Sequence, residues 1–218
     1  EDKSDLSKIK NFFKSITIKR KVPFKIIVNK YSLGAGHARN VGIKKSKTKY
    51  VAFLDSDDLW AKNKLKIQIN YMEKNNILFS HTSYHVINAN NKIISSRPAK
   101  KKIFFKDLIS SCDIGLSTVI LNSSLIGKNK LLFPGIKTKE DYVLWLRIIK
   151  KIKTIRGLDV KLTYYRKTKG SLSSNKLLSL INGYKVYRNY MNYGVIKSLF
   201  YLFILSINSL KKIIVNYN

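Results

Sequence analysis

Acidic residues are scarce in this chain of 218 residues, which has 12 Asp and Glu against 43 Lys and Arg. Cysteine occurs once, at Cys112, so an internal disulfide is excluded and a reducing compartment is favoured. With the three histidines, this cysteine forms no recognisable zinc-ligand pattern. The apolar run Leu199–Leu205 has seven residues, whereas a membrane-spanning helix needs roughly 20. The sequence therefore predicts neither a disulfide framework, nor a zinc module, nor a spanning helix.

The formal net charge of +31 indicates an anionic partner, which would be nucleic acid, an acidic lipid surface or a phosphorylated substrate. The basic residues are spread along the chain rather than patterned. No zinc-finger spacing, no glycine-aromatic stacking motif and no basic region with heptads accompanies them. Nucleic acid is therefore not an expected partner, although a basic nucleic-acid-binding domain remains an alternative interpretation.

The segment that organises the chain is Lys49–Trp60, in which a short apolar run ends on a cluster of acidic residues. The run Tyr50–Leu54 predicts a strand buried on both faces. Side chains two apart in an extended segment point the same way, so Asp55 and Asp57 can converge on one ligand. Clustered carboxylates suit Mg²⁺ or Mn²⁺. The alternative is a strand-to-helix turn in which Asp57 or Asp58 caps the next helix.

Strands and helices alternate through the rest of the chain, which is the rhythm of a parallel α/β sheet. The Gly-x-Gly at Gly34 and Gly36 lacks the third glycine of a dinucleotide site, so NAD is not expected. In the first part of the chain the predicted elements are a helix through Leu6–Phe13 capped by Ser4 or Asp5, a strand at Pro23–Val28, a helix after Gly34 and a helix over 62–75 with Leu65, Ile69 and Met72 inward. They are followed by a strand at 77–79, a hairpin over 84–94, a helix over 104–110, a strand at 117–122 and a helical turn at 123–127. The last predicted elements are a helix over 142–151 with Leu144, Trp145 and Ile148 inward, a strand at 159–166 and a helical tail from Leu177.

The tail segment Val195–Val215 mixes apolar residues with Ser, Asn and Lys. Packing against the domain is the simpler interpretation of such a segment. The rival is a helix that lies in the interface plane beside anionic lipid.

Taken in order, the motifs resemble family 2 glycosyltransferases of the GT-A fold, which are inverting enzymes that use nucleotide sugars. The matching segments are Glu1–Ser4, Gly34–Gly42, Asp55–Asp58 followed by Trp60, Glu140–Arg147, and the closing segments at 164–166 and 171–173. The resemblance implies an α/β, Rossmann-like mixed sheet flanked by helices. It implies a GT-A domain over residues 1–175 and a helical C-terminal extension over 176–218.

The sequence departs from the family pattern at its beginning. The family's first strand and the loop after it have no counterpart, so the chain is expected to begin at the end of the second strand. Glu1 stands where the family has Asp, and Ala61 stands where proline is common. A fragment that binds nucleotide sugar without catalysis is therefore a second interpretation.

On the donor side, the resemblance implies that Asp2 contacts the nucleotide base and that Arg39 lies beside the nucleotide. It implies that Asp55 contacts the ribose or the metal. Asp57 would bind Mg²⁺ or Mn²⁺ on the diphosphate, where the ion acts as a Lewis acid.

On the acceptor side, the resemblance implies that Asp141 is the general base that takes the proton from the acceptor hydroxyl, with Glu140 as the alternative base. The competing interpretation of this acidic pair is a helix start favoured by the helix dipole. The expected acceptor is a glycan or a lipid-linked glycan of the bacterial cell surface. The expected location is cytoplasmic, with peripheral contact at the inner face of an anionic membrane.

Overall fold

A computed structural model describes residues 3–20, 23–127, 130–167 and 176–214. The chain divides into two units, residues 1–33 and residues 34–218. The division into a domain over 1–175 and an extension over 176–218 stays a prediction.

The first unit consists of helix α1, Lys3–Arg20, and the irregular segment that follows it. Because α1 begins at Lys3, the prediction that Ser4 or Asp5 caps it is wrong, since both residues lie within the helix. The predicted strand at Pro23–Val28 is also wrong. These residues have no regular structure, because a strand needs a neighbouring backbone to pair with and no described strand pairs with them.

The second unit contains a seven-stranded sheet in the order β1-β6-β3-β7-β2, with β4 paired to β3 and β5 paired to β7. Its strands are β1 Tyr50–Ala52, β2 Leu59–Trp60, β3 Phe79–Ile87, β4 Ile93–Arg97, β5 Lys102–Phe104, β6 Ile120–Asn122 and β7 Thr154–Arg166. The β3–β7 pair is parallel and the other pairs are antiparallel. The mixed sheet that the family resemblance implies is therefore confirmed, whereas the parallel sheet predicted from the alternation of strands and helices is wrong.

The helices of this unit lie between and after the strands. They are α2 Ala35–Lys45, α3 Lys64–Lys74, α4 Phe105–Leu108, α5 Glu140–Ile152, α6 Lys176–Lys185 and α7 Val195–Ile214, with a 3-10 turn at Leu116–Thr118 and a π-helical segment at Val186–Tyr190. The predicted helical tail is therefore confirmed. Over the described parts of the chain, none of the helices is sufficiently long and apolar to cross a membrane.

Helix α5 supplies the centre of the core. Leu144, Trp145 and Ile148 are fully buried, as predicted from their spacing. The Trp145 ring contacts the rings of Phe53 and Phe79 at centroid distances of 6.2 Å and 4.9 Å. This cluster fixes the start of α5 against the end of β1.

The predicted face of α3 is right for Met72, which is fully buried, and for Ile69, which is partly buried and packs on the core, but it is wrong for Leu65. Leu65 is 44% exposed, whereas Lys64 and Gln68 are fully buried beside Met72. The two polar side chains can be buried because they are hydrogen-bonded: Lys64 Nζ donates to Gln68 Oε1 and to the Thr118 carbonyl, and Gln68 Nε2 donates to the same carbonyl. The spacing of apolar residues could not predict that Lys64 and Gln68 are buried.

Three smaller predictions were partly wrong. The strand predicted at 117–122 begins only at Ile120, since residues 116–118 form the 3-10 turn, and the residues at 123–127 form turns without a helix. Strand β1 is only half-buried, because it pairs with β6 on one edge and no strand in the described chain pairs with the other.

The predicted hairpin is confirmed. It consists of β3 and β4, and the Asn88 N–H donates to the Lys92 carbonyl in the connection between them.

Candidate active site

The acidic cluster forms a tight turn directly after β1. The Asp58 N–H donates to the Asp55 carbonyl at 3.1 Å, which closes the turn. Neither Asp57 nor Asp58 caps α3, which begins only at Lys64. The capping alternative for this cluster is therefore wrong.

The carboxylates of this turn differ in their surroundings. Asp57 is exposed, whereas Asp58 is 5% exposed and accepts the backbone N–H of Arg166 at 2.9 Å. Burial raises the pKa of Asp58, and hydrogen bonds from Ser117 and Arg166 oppose that shift. Asp58 thus anchors the turn to the end of β7, and Asp57 remains accessible to a ligand.

Arg39 on α2 joins two acidic segments that are distant in sequence. Its Nη2 lies 2.7 Å from Asp55 Oδ1, and its Nη1 lies 2.5 Å from Glu140 Oε1. The side chain is 18% exposed, so these ion pairs are only partly screened by water. Burial acts against its charge, but the Asp55 and Glu140 carboxylates outweigh that and raise the pKa of Arg39. The contacts hold the acidic turn beside the start of α5.

The approach of α2 to α5 depends on Gly36. A Cβ at this position would lie 3.2 Å from Glu140 Cγ and 3.3 Å from Phe133 Cβ. Next to Arg39, the side-chain amide of Asn40 donates to the Phe133 carbonyl and accepts the Phe133 N–H, both at 2.9 Å. The Gly34–Gly42 motif therefore positions Arg39 through close backbone contacts.

Glu140 and Asp141 form the first turn of α5, where the helix dipole favours negative charge. Asp141 Oδ1 accepts the Tyr142 N–H at 2.7 Å. Burial raises the pKa of Asp141 to about 6, and the Glu140 carboxylate adds to that shift. A buried carboxyl group with a pKa raised in this way is a candidate for proton transfer near neutral pH.

The structure brings Arg39, Asp55 and Glu140 into direct contact, with Asp141 as the next residue of α5 and Asp57 in the same turn as Asp55. Asp2 and the segment at 171–173 lie outside the described residues. The assigned roles of these residues stay predictions.

Sequence reasoning missed the residues that hold the turn in place. The Asp55 N–H donates to Ser117 Oγ at 3.1 Å, and Trp60 Nε1 donates to the Ser117 carbonyl at 2.7 Å. Thr163 Oγ1 donates to the same carbonyl. The only sequence signal for this contact was Trp60 behind the acidic cluster, because Ser117 acts through both its hydroxyl group and its carbonyl and lies 62 residues from Asp55.

The Arg166 side chain also holds the acidic turn in place. Its Nε donates to the Asp57 carbonyl at 2.8 Å, and its Nη1 donates to the Asn88 carbonyl at 3.0 Å. It therefore ties the acidic turn to the β3–β4 hairpin. The segment at 164–166 was identified from the family pattern, but the role of Arg166 was not.

A divalent metal ion is compatible with this turn. No group of three or more His, Cys, Asp or Glu residues positioned to hold a metal is found within the described ranges. Mg²⁺ in nucleotide sites typically takes one or two protein carboxylates and completes its shell with water and phosphates. Asp55 and Asp57 are the residues that would hold such an ion. They lie in a turn, so the expectation of an extended segment in which both side chains point the same way is wrong.

Three comparisons with known proteins support one assignment. Relatives include a UDP-Glc:alpha-D-GlcNAc-diphosphoundecaprenol beta-1,3-glucosyltransferase, WfgD, of Escherichia coli, 42% identical over 72% of this chain and 60% of that protein. A putative teichuronic acid biosynthesis glycosyltransferase, TuaG, of Bacillus subtilis is 33% identical over 71% of this chain and 61% of that protein. The chain thus spans about 60% of the length of these relatives. Residues 1–349 of S. aureus TarS with UDP-GlcNAc match its fold at TM-score 0.61 and 21% identity, covering 88% of this chain and 58% of that one.

The mixed sheet, the acidic turn after β1 and the acidic start of α5 define the class of protein as a GT-A domain. Within that class, residues 4–131 match the family model described as Glycosyl transferase family 2. The chain belongs to that family.

Proposed function

We infer that this chain transfers a sugar from a nucleotide-sugar donor to a hydroxyl group of a lipid-linked glycan, with inversion and with the assistance of a divalent metal. The observation that carries this proposal is the contact of Arg39 with both Asp55 and Glu140. It supports a single site in which the donor-side acidic turn lies beside the candidate base at the start of α5.

On the donor side, Asp55 and Asp57 are the residues that would hold the divalent metal and the diphosphate. When bound, the ion supplies Lewis-acid stabilisation of the charge on the departing nucleoside diphosphate. Arg39 keeps Asp55 oriented and adds positive charge next to the phosphates. The clamps from Ser117 and Arg166 keep the turn rigid, so little reorganisation is needed when the donor binds.

On the acceptor side, Asp141 accepts the proton of the acceptor hydroxyl. The hydroxyl oxygen forms a bond to the anomeric carbon as the bond from that carbon to the phosphate oxygen breaks on the opposite face, which inverts the configuration. Glu140 is the weaker candidate for the base because its Oε1 pairs with the Arg39 cation, whereas Asp141 Oδ1 accepts a hydrogen bond from a neutral backbone N–H. Asp141, with a pKa of about 6, is largely deprotonated at neutral pH.

The names of the relatives suggest the substrate class. WfgD is named for transfer from UDP-Glc to a GlcNAc attached to diphosphoundecaprenol. We therefore assign a UDP-hexose donor and a polyprenyl-diphosphate-linked sugar acceptor to this chain. TarS with bound UDP-GlcNAc has the same fold, which is compatible with a uridine nucleotide.

The experiment separates donor binding from proton transfer. Calorimetry with UDP and Mn²⁺, beside a transfer assay with UDP-glucose, is carried out on the full chain and on two variants. Asp57→Asn should weaken metal-dependent UDP binding and transfer together. Asp141→Asn should bind UDP normally and lose roughly 10²–10⁴ in transfer rate, which is the usual contribution of a general base.

Two further variants control this test. Glu73→Gln removes an exposed ion pair with Lys49 that includes no residue of the acidic turn, and it should leave both readouts unchanged. Glu140→Gln removes the Arg39 contact without removing the proposed base, so it should slow transfer less than Asp141→Asn. Normal turnover in Asp141→Asn, or UDP binding without turnover by the unmodified chain, would contradict the proposal.

A further inference from the structure

Helix α7 has one face that packs on the rest of its unit. Ser198 and Leu205 on this face are buried. Asn208 Nδ2 donates to the Ser110 carbonyl at 2.9 Å, which fixes the helix near α4. The rotation of α7 about its axis is therefore set by these contacts.

The opposite face of α7 is apolar and exposed. Ile196, Phe200, Phe203 and Leu210 are 85%, 58%, 64% and 57% exposed. Their spacing of three, four or seven residues places them along one side of a helix. Large apolar residues that are exposed together mark an interaction surface more often than isolated ones do. We call these four residues the α7 stripe.

The charged residues of α7 itself have one sign, since they are Lys197, Lys211 and Lys212. Lys197 and Lys211 are exposed. Each residue of a helix turns by about 100°, so these two side chains are rotated from Ile196 by about 100° and about 60° in the same direction, and both lie on one flank of the stripe. No Asp or Glu follows Asp159 in the sequence, whereas ten Lys and Arg do. Lys197 Nζ lies 4.3 Å from the centroid of the Tyr193 ring, so its charge is held near an aromatic group beside the helix.

The positive charge of the chain distinguishes the two simplest binding partners of the α7 stripe, which are a second copy of the chain and a membrane surface. A second copy of the chain would bring another net charge of +31 against the first, so like charges would oppose the contact. An anionic bilayer surface instead attracts every lysine near it. An apolar face with aromatic residues and flanking lysines is the pattern of helices that lie in the bilayer interface.

We propose that α7 binds the surface of an anionic membrane, lying in its plane, with the α7 stripe inserted among the lipids and Lys197 and Lys211 contacting lipid phosphates. Ser206, Ser209 and Lys211 interrupt the apolar sequence of α7, in keeping with an orientation along the surface. The proposal does not depend on the proposed transfer reaction. If that reaction takes place, membrane binding brings the site to the same surface as a lipid-linked acceptor.

The test of the apolar part uses flotation of the full chain with vesicles of phosphatidylcholine alone or mixed with phosphatidylglycerol. The wild-type chain should float with the anionic vesicles and only weakly with the neutral ones. Phe200→Ser with Phe203→Ser should reduce the partition coefficient by tenfold or more, since each lost aromatic side chain removes about 1.5–3 kcal/mol of burial. The matched control, Ile93→Ser with Ile94→Ser, removes two exposed apolar side chains of β4 and should bind normally.

The test of the charge compares two double variants with the same net charge. Lys197→Glu with Lys211→Glu should lower binding to the anionic vesicles by at least fivefold for each position, because one basic residue near such a surface contributes about 1 kcal/mol. Lys66→Glu with Lys92→Glu changes two exposed lysines outside α7 and should have a much smaller effect.

Three results would overturn the proposal. One is equal binding to neutral and anionic vesicles, and another is equal loss in a stripe variant and its control. The third is a concentration-dependent dimer in analytical ultracentrifugation that dissociates in Phe200→Ser with Phe203→Ser, which would assign the stripe to a second copy. Far-UV circular dichroism of each variant checks that a loss of binding is not a loss of fold.

Discussion

Burial of the Asp141 carboxyl group costs stability when the group is ionised. Its pKa in the folded chain is about 6, above the ordinary value of 3.8, because burial disfavours the charged form. The folded state therefore binds this proton more tightly than the unfolded state does. The stabilising contribution is complete below about pH 4 and is lost as the pH rises through about 6.

Asp141→Asn should therefore stabilise the protein at pH 8 while it inactivates the enzyme. The expected gain in the free energy of unfolding is ~1–3 kcal/mol, and it should disappear below about pH 4, where Asp141 is protonated. Urea denaturation at both pH values measures it. Glu140→Gln, which loses its pair with Arg39, should destabilise the protein at pH 8. A loss of stability in Asp141→Asn at both pH values would contradict this account.

Lys64 is a buried cation whose hydrogen bonds do not fully compensate for the loss of water. Burial lowers the pKa of Lys64 to about 7. Between about pH 7 and pH 10 the unfolded chain holds a proton that the folded chain does not, so stability should rise with pH over this window. Lys64→Met should remove that rise, whereas Lys66→Met, at an exposed position of the same helix, should keep it. Urea denaturation across this range measures both, and identical pH profiles would show that Lys64 is not the titrating group.

Among the elements, the buried face of α5 was predictable from the sequence, whereas that of α3 was predictable only in part. The apolar residues of α5 are spaced for one face, and that face enters the core. In α3, the buried positions include Lys64 and Gln68, whose partners are carbonyl groups of Ser80 and Thr118. Such partners become visible only when the tertiary contacts are known. Periodicity therefore found Met72 and Ile69 but missed the two buried polar residues.

The pairing of β5 with β7 depends on a close approach at Gly157. A Cβ there would lie 2.1 Å from the Lys100 carbonyl oxygen, and the Gly157 N–H donates to the Lys101 carbonyl. Gly157→Ala should therefore push β5 away and destabilise the protein by about 1–3 kcal/mol or more. Chemical denaturation gives the magnitude, and hydrogen exchange should locate the loss of protection in β5 and β7.

The matched control for this prediction is Gly42→Ala in the middle of α2, where no atom lies within 4 Å of the added Cβ. Alanine there should stabilise the protein by about 0.5–1 kcal/mol, because glycine loses more conformational freedom in a helix. If both substitutions changed stability in the same direction, crowding at Gly157 would not be the cause.

At the scale of the whole molecule, the sequence predicted the mixed α/β architecture and the motifs of the candidate site but not how they meet. Arg39 lies 16 residues from Asp55 and 101 residues from Glu140. Their contact requires the pairing of β1 with β6 and the packing of α5 against the end of β1, which no local pattern encodes. The clamps from Ser117 and Arg166 depend on the same topology. The family resemblance supplied the candidate residues, and the tertiary structure supplied their partners.

The net charge of +31 should make the stability of the molecule depend on salt at low ionic strength. Like charges spread over a compact surface repel one another, and unfolding relieves that repulsion. Raising the ionic strength from about 0.01 M to about 0.15 M shortens the Debye length from about 30 Å to about 8 Å. Repulsion between distant lysines is then screened, while the partly buried pairs of Arg39 are affected much less. The melting temperature should therefore rise by several degrees over this range.

Thermal denaturation in NaCl, with potassium fluoride and sodium perchlorate at equal ionic strength as controls, tests this expectation. Screening depends on ionic strength and should give the same rise in all three salts. Effects of individual ions on hydration grow at higher concentrations and differ between salts. A melting temperature that falls or stays constant as salt is added would show that local ion pairs, such as Lys49 with Glu73 and Arg39 with Asp55, outweigh the net repulsion.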